Sequence, residues 1–301
     1  MIIKYIPAGV LLLAAASLLG ATSAQAQRVD MPTCTAAELN AATAAYVEAQ
    51  KTGDISKLPM ADTAEYVENM SAVEKDIGLW NTALPIAYSS SYHDPVRCKT
   101  FTEAVVTDGD HQYVIGTRLY MNDGKVVRID SLVSDKGDWL FNANAYKKYA
   151  SREDWGVQAP EHRTKGSEMI RGANAYLDQF SDKFTDAPWG HPCERLEGGA
   201  YTNVDGKPDT TCKVGIPKGV LYIVNRDYMV DEEKGVINVF CRFGNSTSGM
   251  PDSHTFRFVD GKFRYVHTIS VNLGTNPSPQ ADDDGRIVRE QPAQENQQNQ
   301  Q

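Results

Sequence analysis

This chain of 301 residues lacks most of the motifs that announce a chemistry. No G-x-S-x-G elbow is present, which removes the usual serine-hydrolase signature. Dinucleotide and phosphate-loop glycine patterns are missing too. Neither C-x-x-C nor H-x-H occurs, so the expectation is no metal and no cofactor. Basic stripes with interleaved aromatics are absent, and the formal charge is −9, a balance that repels phosphate backbones and excludes nucleic acid as a partner. Beyond Leu19 no apolar run approaches the length of a membrane span.

What is present begins with an N-terminal leader. Lys4, the apolar run Ile6 to Leu19 and the small-x-small site Ala24-Gln25-Ala26 read as a signal peptide over residues 1–26. The expectation is therefore a secreted or periplasmic protein with no membrane anchor after cleavage.

The most informative stretch is Met250 to Val271. Asp260-Gly261 is a two-residue hairpin turn signal. If those two residues form the loop, Phe258 faces Phe263, Arg257 faces Arg264, Phe256 faces Tyr265 and His254 faces His267. Strand alternation then puts His254, Phe256, Phe258, Phe263, Tyr265 and His267 on one face, an aromatic wall with two imidazoles at its rim. Asp123-Gly124-Lys125 repeats Asp260-Gly261-Lys262 at an offset of 137. AEYVEN (Ala64 to Asn69) answers CERLEG (Cys193 to Gly198) at 129, and Tyr46-Val47-Glu48 answers Tyr176-Leu177-Asp178 at 130. Three matches in one order indicate a duplicated domain.

The five cysteines fit that duplication. Locality within each copy suggests disulfides Cys34–Cys98 and Cys193–Cys212. Cys241, inside VFCRF, reads as a buried small hydrophobe, with a nucleophilic thiol as the alternative. In the first copy Thr35 and Glu38 form a capping box ahead of a helix reaching Gly53, followed by strands at Thr100–Val106, Gln112–Met121 and Lys125–Val133. The second copy has a helix from about Ser167 to Phe180 and four strands between Val220 and Val271. Helices followed by an antiparallel meander indicate an α+β class. The domain reading is 34–150, a linker at 151–166, 167–273, and a disordered polar tail at 274–301.

The strings VIGTRL (Val114–Leu119), DKGDWLFNA (Asp135–Ala143), PWGHPCERLEGGAYT (Pro188–Thr202) and MPDSHTFRFVDGKFRYVHT (Met250–Thr268) carry a family resemblance. The chain resembles a tandem nuclear-transport-factor-2-like (SnoaL-like) protein, from an uncharacterised family of secreted fungal and bacterial proteins. The resemblance implies two cone-like domains, each with helices packed on a curved antiparallel sheet. Such folds host isomerases, dehydratases, lyases and pure binding modules, so fold alone does not choose between them.

On this reading the protein is a cofactor-independent enzyme of lyase, isomerase or hydratase type, acting on a small, partly apolar molecule. His254 and His267 are the expected acid and base, Tyr265 a positioning donor, and Glu197 or Asp252 an orienting carboxylate. Phe256, Phe258, Phe263, Trp189 and Tyr201 are the expected substrate walls. Structural roles compete at each position: the histidines as hydrogen-bonded residues, and Glu194 and Glu197 as a feature shared with Glu65 and Glu68. Asp130 beside Arg128 is a reserve candidate in the first copy. A non-catalytic small-molecule binding protein is the alternative function. The duplication further implies a monomer whose two sheets pack as an internal pseudo-dimer.

Overall fold

Thr35 opens the first helix as its capping box requires. Its hydroxyl accepts from the Glu38 backbone N–H, while the Glu38 carboxylate accepts from Thr35 N–H at 2.8 Å. A computed structural model describes residues 34–74, 76–213, 219–274 and 278–288, so the expected signal peptide lies outside the described residues. Helix α1 (Ala36–Thr52) buries Leu39, Ala42, Tyr46 and Ala49, a helical stripe, and ends at Gly53 in the left-handed conformation. Strands β1 (Met60–Glu68), β2 (Ser71–Ala72), β3 (Ile86–Asp94), β4 (Lys99–Val106), β5 (Tyr113–Asn122) and β6 (Lys125–Ser134) follow. They form a sheet in the order β2-β1-β6-β5-β4-β3, in which only the β1–β6 pair is parallel.

After α2 (Ala143–Ala150) the plan repeats. Helix α3 (Gly166–Asp178) precedes β7 (Trp189–Glu197), β8 (Ala200–Tyr201), β9 (Ile223–Asp231), β10 (Val236–Phe243), β11 (Met250–Val259) and β12 (Lys262–Ser270). The sheet order, β8-β7-β12-β11-β10-β9, is the same, again with one parallel pair, β7–β12. The four meander strands begin 137 residues after their counterparts, and the short hairpin begins 129 after. Disulfides join Cys34 to Cys98 and Cys193 to Cys212, and Cys241 is a buried free thiol. Among the described residues no helix is long and apolar enough to cross a membrane.

The two sheets pack on each other. Tyr92, Phe101 and Leu132 of the first copy share a buried cluster with Met229, Val236, Phe240 and Tyr265 of the second. The contact is reciprocal at β3 and β9: His93 N–H donates to Asp231 at 3.0 Å, and Val230 N–H donates to Asp94 at 2.9 Å. His93 and Val230 are equivalent positions, as are Asp94 and Asp231, which is the signature of a two-fold interface. Arg128, Asp130 and Leu132 hold the interface side of β6, whereas Ile129 packs under α1.

Two segments read from sequence as a linker and as a disordered tail have described residues built into this body. The stretch 151–166 carries Trp155, buried in the cluster between the copies, and Gln158, buried against the second copy with its side chain donating to Phe258 O. The tail expected to be disordered from Gly274 instead forms a small hairpin, β13 (Gln280–Ala281) and β14 (Ile287–Val288). Leu140 N–H donates to Pro279 O at 2.7 Å and Asn142 donates to Ala281 O at 3.1 Å, so its backbone is paired despite a polar sequence. Residues 275–277 and 289–301 lie outside the described residues.

Candidate functional site

The β11–β12 hairpin forms, but a bulge at Arg264 shifts its register by one. Phe258 pairs with Phe263 as expected, then Arg257 pairs with Tyr265, Phe256 with Val266 and Thr255 with His267. A one-residue slip sends every later side chain to the opposite face. The first copy bulges at the equivalent Val127, between the pairs Met121–Val126 and Tyr120–Arg128. His254, Phe256, Phe258 and Phe263 therefore face α3, while Tyr265 and His267 face the first copy. The expected wall with two facing imidazoles is split in two.

His267 sits between two carboxylates. Its Nδ1 lies 2.9 Å from Glu103 Oε2 of the first copy, and its Nε2 lies 2.6 Å from Glu153 Oε2 in the connecting segment. Burial alone would pull this imidazole down, but Glu103 and Glu153 outweigh it and push the pKa up to about 10. The Trp155 indole N–H and the Tyr201 hydroxyl donate to Glu153 at 2.9 and 3.1 Å. Tyr201 also stacks on Tyr149 at 4.0 Å, so it belongs to this junction rather than to a substrate wall. Tyr265, likewise at the junction, packs on Trp155 at 5.6 Å and accepts from Asp154 N–H. A fully enclosed imidazolium held by two carboxylates is a lock between the copies.

His254 lies under α3 with Asp252 and Cys241. The three are 2%, 1% and 0% exposed, and their ligand atoms lie within 4.8 Å of one another. Asp252 and Cys241 are cross-strand partners, and Asp252 and His254 are two apart on β11, so strand geometry converges all three. Asp252 does stand beside His254, Oδ1 to Nδ1 at 2.7 Å, but without the alignment of a hydrogen bond. Its other oxygen accepts from Ser270 Oγ at 2.8 Å. Burial pushes the Cys241 thiol well above its usual range, and Asp252 adds to that, against Arg226 and Arg118. The aromatic wall beside them is packed core: Phe256, Phe258 and Phe263 are 0–1% exposed, with neighbouring rings 4.9–5.1 Å apart. Trp189 joins that core, its ring 5.6 Å from Tyr176 and from Phe263.

No such cluster occurs among the described residues of the first copy. At the positions of Cys241, Asp252 and His254 it carries Ala104, Ile115 and Thr117. There the helix tyrosine, Tyr46, bonds Thr117 at 2.7 Å, and Thr117 bonds Ser131 at 2.9 Å. Both glutamates of β7 have structural partners. Glu194 pairs with Arg264 and accepts from Thr210 and Asn203. Glu197 pairs with Arg195 and accepts from the Trp139 indole at 2.7 Å.

A cleft of about 400 Å³ opens between the copies, lined by the reserve pair and by residues that sequence reasoning did not single out. The Arg128 guanidinium clasps Asp130 at 2.6 and 3.1 Å. Lys99, Arg118 and the Tyr120 hydroxyl donate to Asp227 of the second copy at 2.7, 2.7 and 2.8 Å. Leu132, Val67 and Phe240 supply the apolar floor, and the Arg118 guanidinium lies 4.2 Å over the Phe240 ring. Burial raises Asp227, but Arg118, Lys99 and Tyr120 outweigh it and hold the carboxyl below its usual range. Burial pushes the Tyr120 phenol upward.

A helix over a curved sheet, with the first strand parallel to the last, is the nuclear-transport-factor-2-like α+β architecture, present here twice in tandem. Residues 162–270, nearly all of the second copy, match a family described as a domain of unknown function (DUF8021). No curated protein matches the chain. Similar solved structures include an NTF-2-like protein of unknown function from Burkholderia xenovorans LB400, 17% identical, covering 41% of this chain and 96% of its own, with a TM-score of 0.27. A candidate ketosteroid isomerase from Kribbella flavida DSM 17836 is 14% identical, over 33% of this chain and 78% of its own, with a TM-score of 0.26. AclR, a candidate hydroxylase from Streptomyces galilaeus, is 14% identical over 33% and 91%, with a TM-score of 0.26.

Proposed function

We propose that this protein binds a small, partly apolar carboxylate in the cleft between its two copies, the binding alternative rather than the acid–base enzyme. The observation that carries this reading is the convergence of Lys99, Arg128 and the Tyr120 hydroxyl on a cleft of ligand size with an apolar floor. Lys99, Arg118 and Arg128 exceed Asp130 and Asp227 by one positive charge, and Glu65 reaches Arg128 only from the exposed rim, at 3.4 Å. A carboxylate already fits the Arg128 fork, since Asp130 occupies it, and a planar fork favours a planar anion. Turnover is not favoured, because Asp227 is held low and Tyr120 is pushed high, away from the neutral range that acid–base catalysis uses. Two disulfides suit an oxidising compartment, consistent with the expected export.

Calorimetric titration with benzoate and its neutral isostere benzamide tests this. Benzoate should bind one per chain, at least tenfold tighter than benzamide, and weaken with added salt. Arg128→Met should cost about tenfold or more, corresponding to the ~1.5–3 kcal/mol of a charge-assisted bond. Asp130→Asn should tighten binding by freeing the fork. Equal binding of the two probes, or indifference to both substitutions, overturns the reading.

A further inference from the structure

Cys241, Asp252 and His254 form a closed cluster that the proposed cleft does not use. Every one of the three is at most 2% exposed, which is an expensive place for a carboxylate and an imidazole. Asp252 Oδ1 and His254 Nδ1 touch at 2.7 Å, yet neither makes an aligned hydrogen bond. Buried polar atoms left in that state call for a group that satisfies them. The fold itself does not need the cluster, since the first copy builds the same sheet with Ala104, Ile115 and Thr117 at those places. Cys241 is also the one cysteine among the five that forms no disulfide.

We propose that Cys241, Asp252 and His254 bind a divalent transition-metal ion of the zinc class. A thiolate sulfur, an imidazole nitrogen and a carboxylate oxygen are together a borderline donor set, which suits zinc rather than magnesium or calcium. The charges close: a dication with one thiolate and one carboxylate is neutral, the state that a dry interior favours. Binding replaces the Cys241 S–H bond by an S–metal bond and releases one proton to solvent. The ligand atoms stand close enough to surround one ion, and two ligands of a tetrahedral ion held at ~2.0 Å sit roughly 3.3 Å apart, so Asp252 and His254 need part only slightly. Ser270, bonded to the far oxygen of Asp252, fixes the carboxylate as an outer partner does at such sites. The Tyr176 ring, 5.3 Å from His254, closes the site from the helix side.

The test is metal content of the purified protein after chelator treatment and reloading, with zinc by elemental analysis and with cobalt by absorption. One equivalent of either metal per chain is expected, and the cobalt form should show a thiolate-to-metal charge-transfer band. Cys241→Ser should abolish that band and lower zinc affinity at least tenfold. The triple variant Cys241→Ala, Asp252→Ile, His254→Thr, which installs the residues of the first copy, should hold no metal while keeping its circular dichroism. Thr117→Ala in the first copy should leave the stoichiometry unchanged. Less than a tenth of an equivalent in the reloaded parent protein overturns the proposal. So does a stoichiometric metal with an intact band in Cys241→Ser.

Discussion

At the scale of the residue, one position decides where the chemistry goes. Arg264 occupies a bulge, and the slip it introduces carries His267 to the junction and leaves His254 under the helix. Turn chemistry fixed the hairpin in the sequence, and the aromatic run gave its strands, but nothing in Arg264 itself distinguishes a bulge from a paired residue. The alternation D-x-H at Asp252 and His254 was legible, and placing them together required no more than the two-residue strand period. Cys241 was legible only as a strand residue, because its partner lies across a register that local spacing does not reveal. The partners of His267 were hidden for a different reason: Glu103 and Glu153 lie 164 and 114 residues away from it in the chain. Replacing His267 by Leu leaves those two carboxylates buried without their cation, which should cost about 3–5 kcal/mol in denaturant unfolding at neutral pH. The pH dependence has a definite sign. With a folded pKa near 10 against an ordinary 6.5, His267 contributes fully below pH 6.5, and that contribution is lost as pH rises toward 10. The parent protein should lose stability across that window, and His267→Leu should show a flatter profile there. A parent profile parallel to that of the variant would remove His267 as the lock.

At the scale of the element, capping and periodicity made α1 legible, since Thr35, Glu38 and Gly53 each behave as their residue types predict. Thr35→Ala should therefore cost about 1 kcal/mol of stability, read as a lowered denaturant midpoint with unchanged slope. No change would mean that the Cys34–Cys98 link, which holds the same helix end, makes the cap redundant. The hairpin of β13 and β14 escaped a compositional reading, because it is held by backbone pairing to α2 and its approach, with only Ala281 contributing a buried apolar side chain. Polar composition describes what a segment cannot bury by itself, and says nothing of a surface already waiting for its backbone.

At the scale of the whole molecule, the internal offsets at 129, 130 and 137 residues exposed the duplication, and the sheets, with their reciprocal aspartates, show how the copies meet. On β6, Ile129 serves its own helix, and the junction is made by Asp130 and Leu132 with Arg118 crossing to Asn238. A junction containing an enclosed ion triad and a shared aromatic cluster should make the halves unfold together. Scanning calorimetry should give one transition, with equal calorimetric and van't Hoff enthalpies, and two resolved transitions would show independent halves. The cleft exists only because the copies are joined, for Lys99, Arg128 and Tyr120 come from one and Asp227 and Phe240 from the other. The most direct measurement is a crystal structure with 4-bromobenzoate, located by the anomalous signal of bromine. A bromine peak is expected in the cleft, with the carboxylate against Arg128 and Lys99 and the ring on Leu132 and Phe240. A peak instead beside His254 under α3, or no ordered bromine at saturating ligand, would contradict the proposed binding.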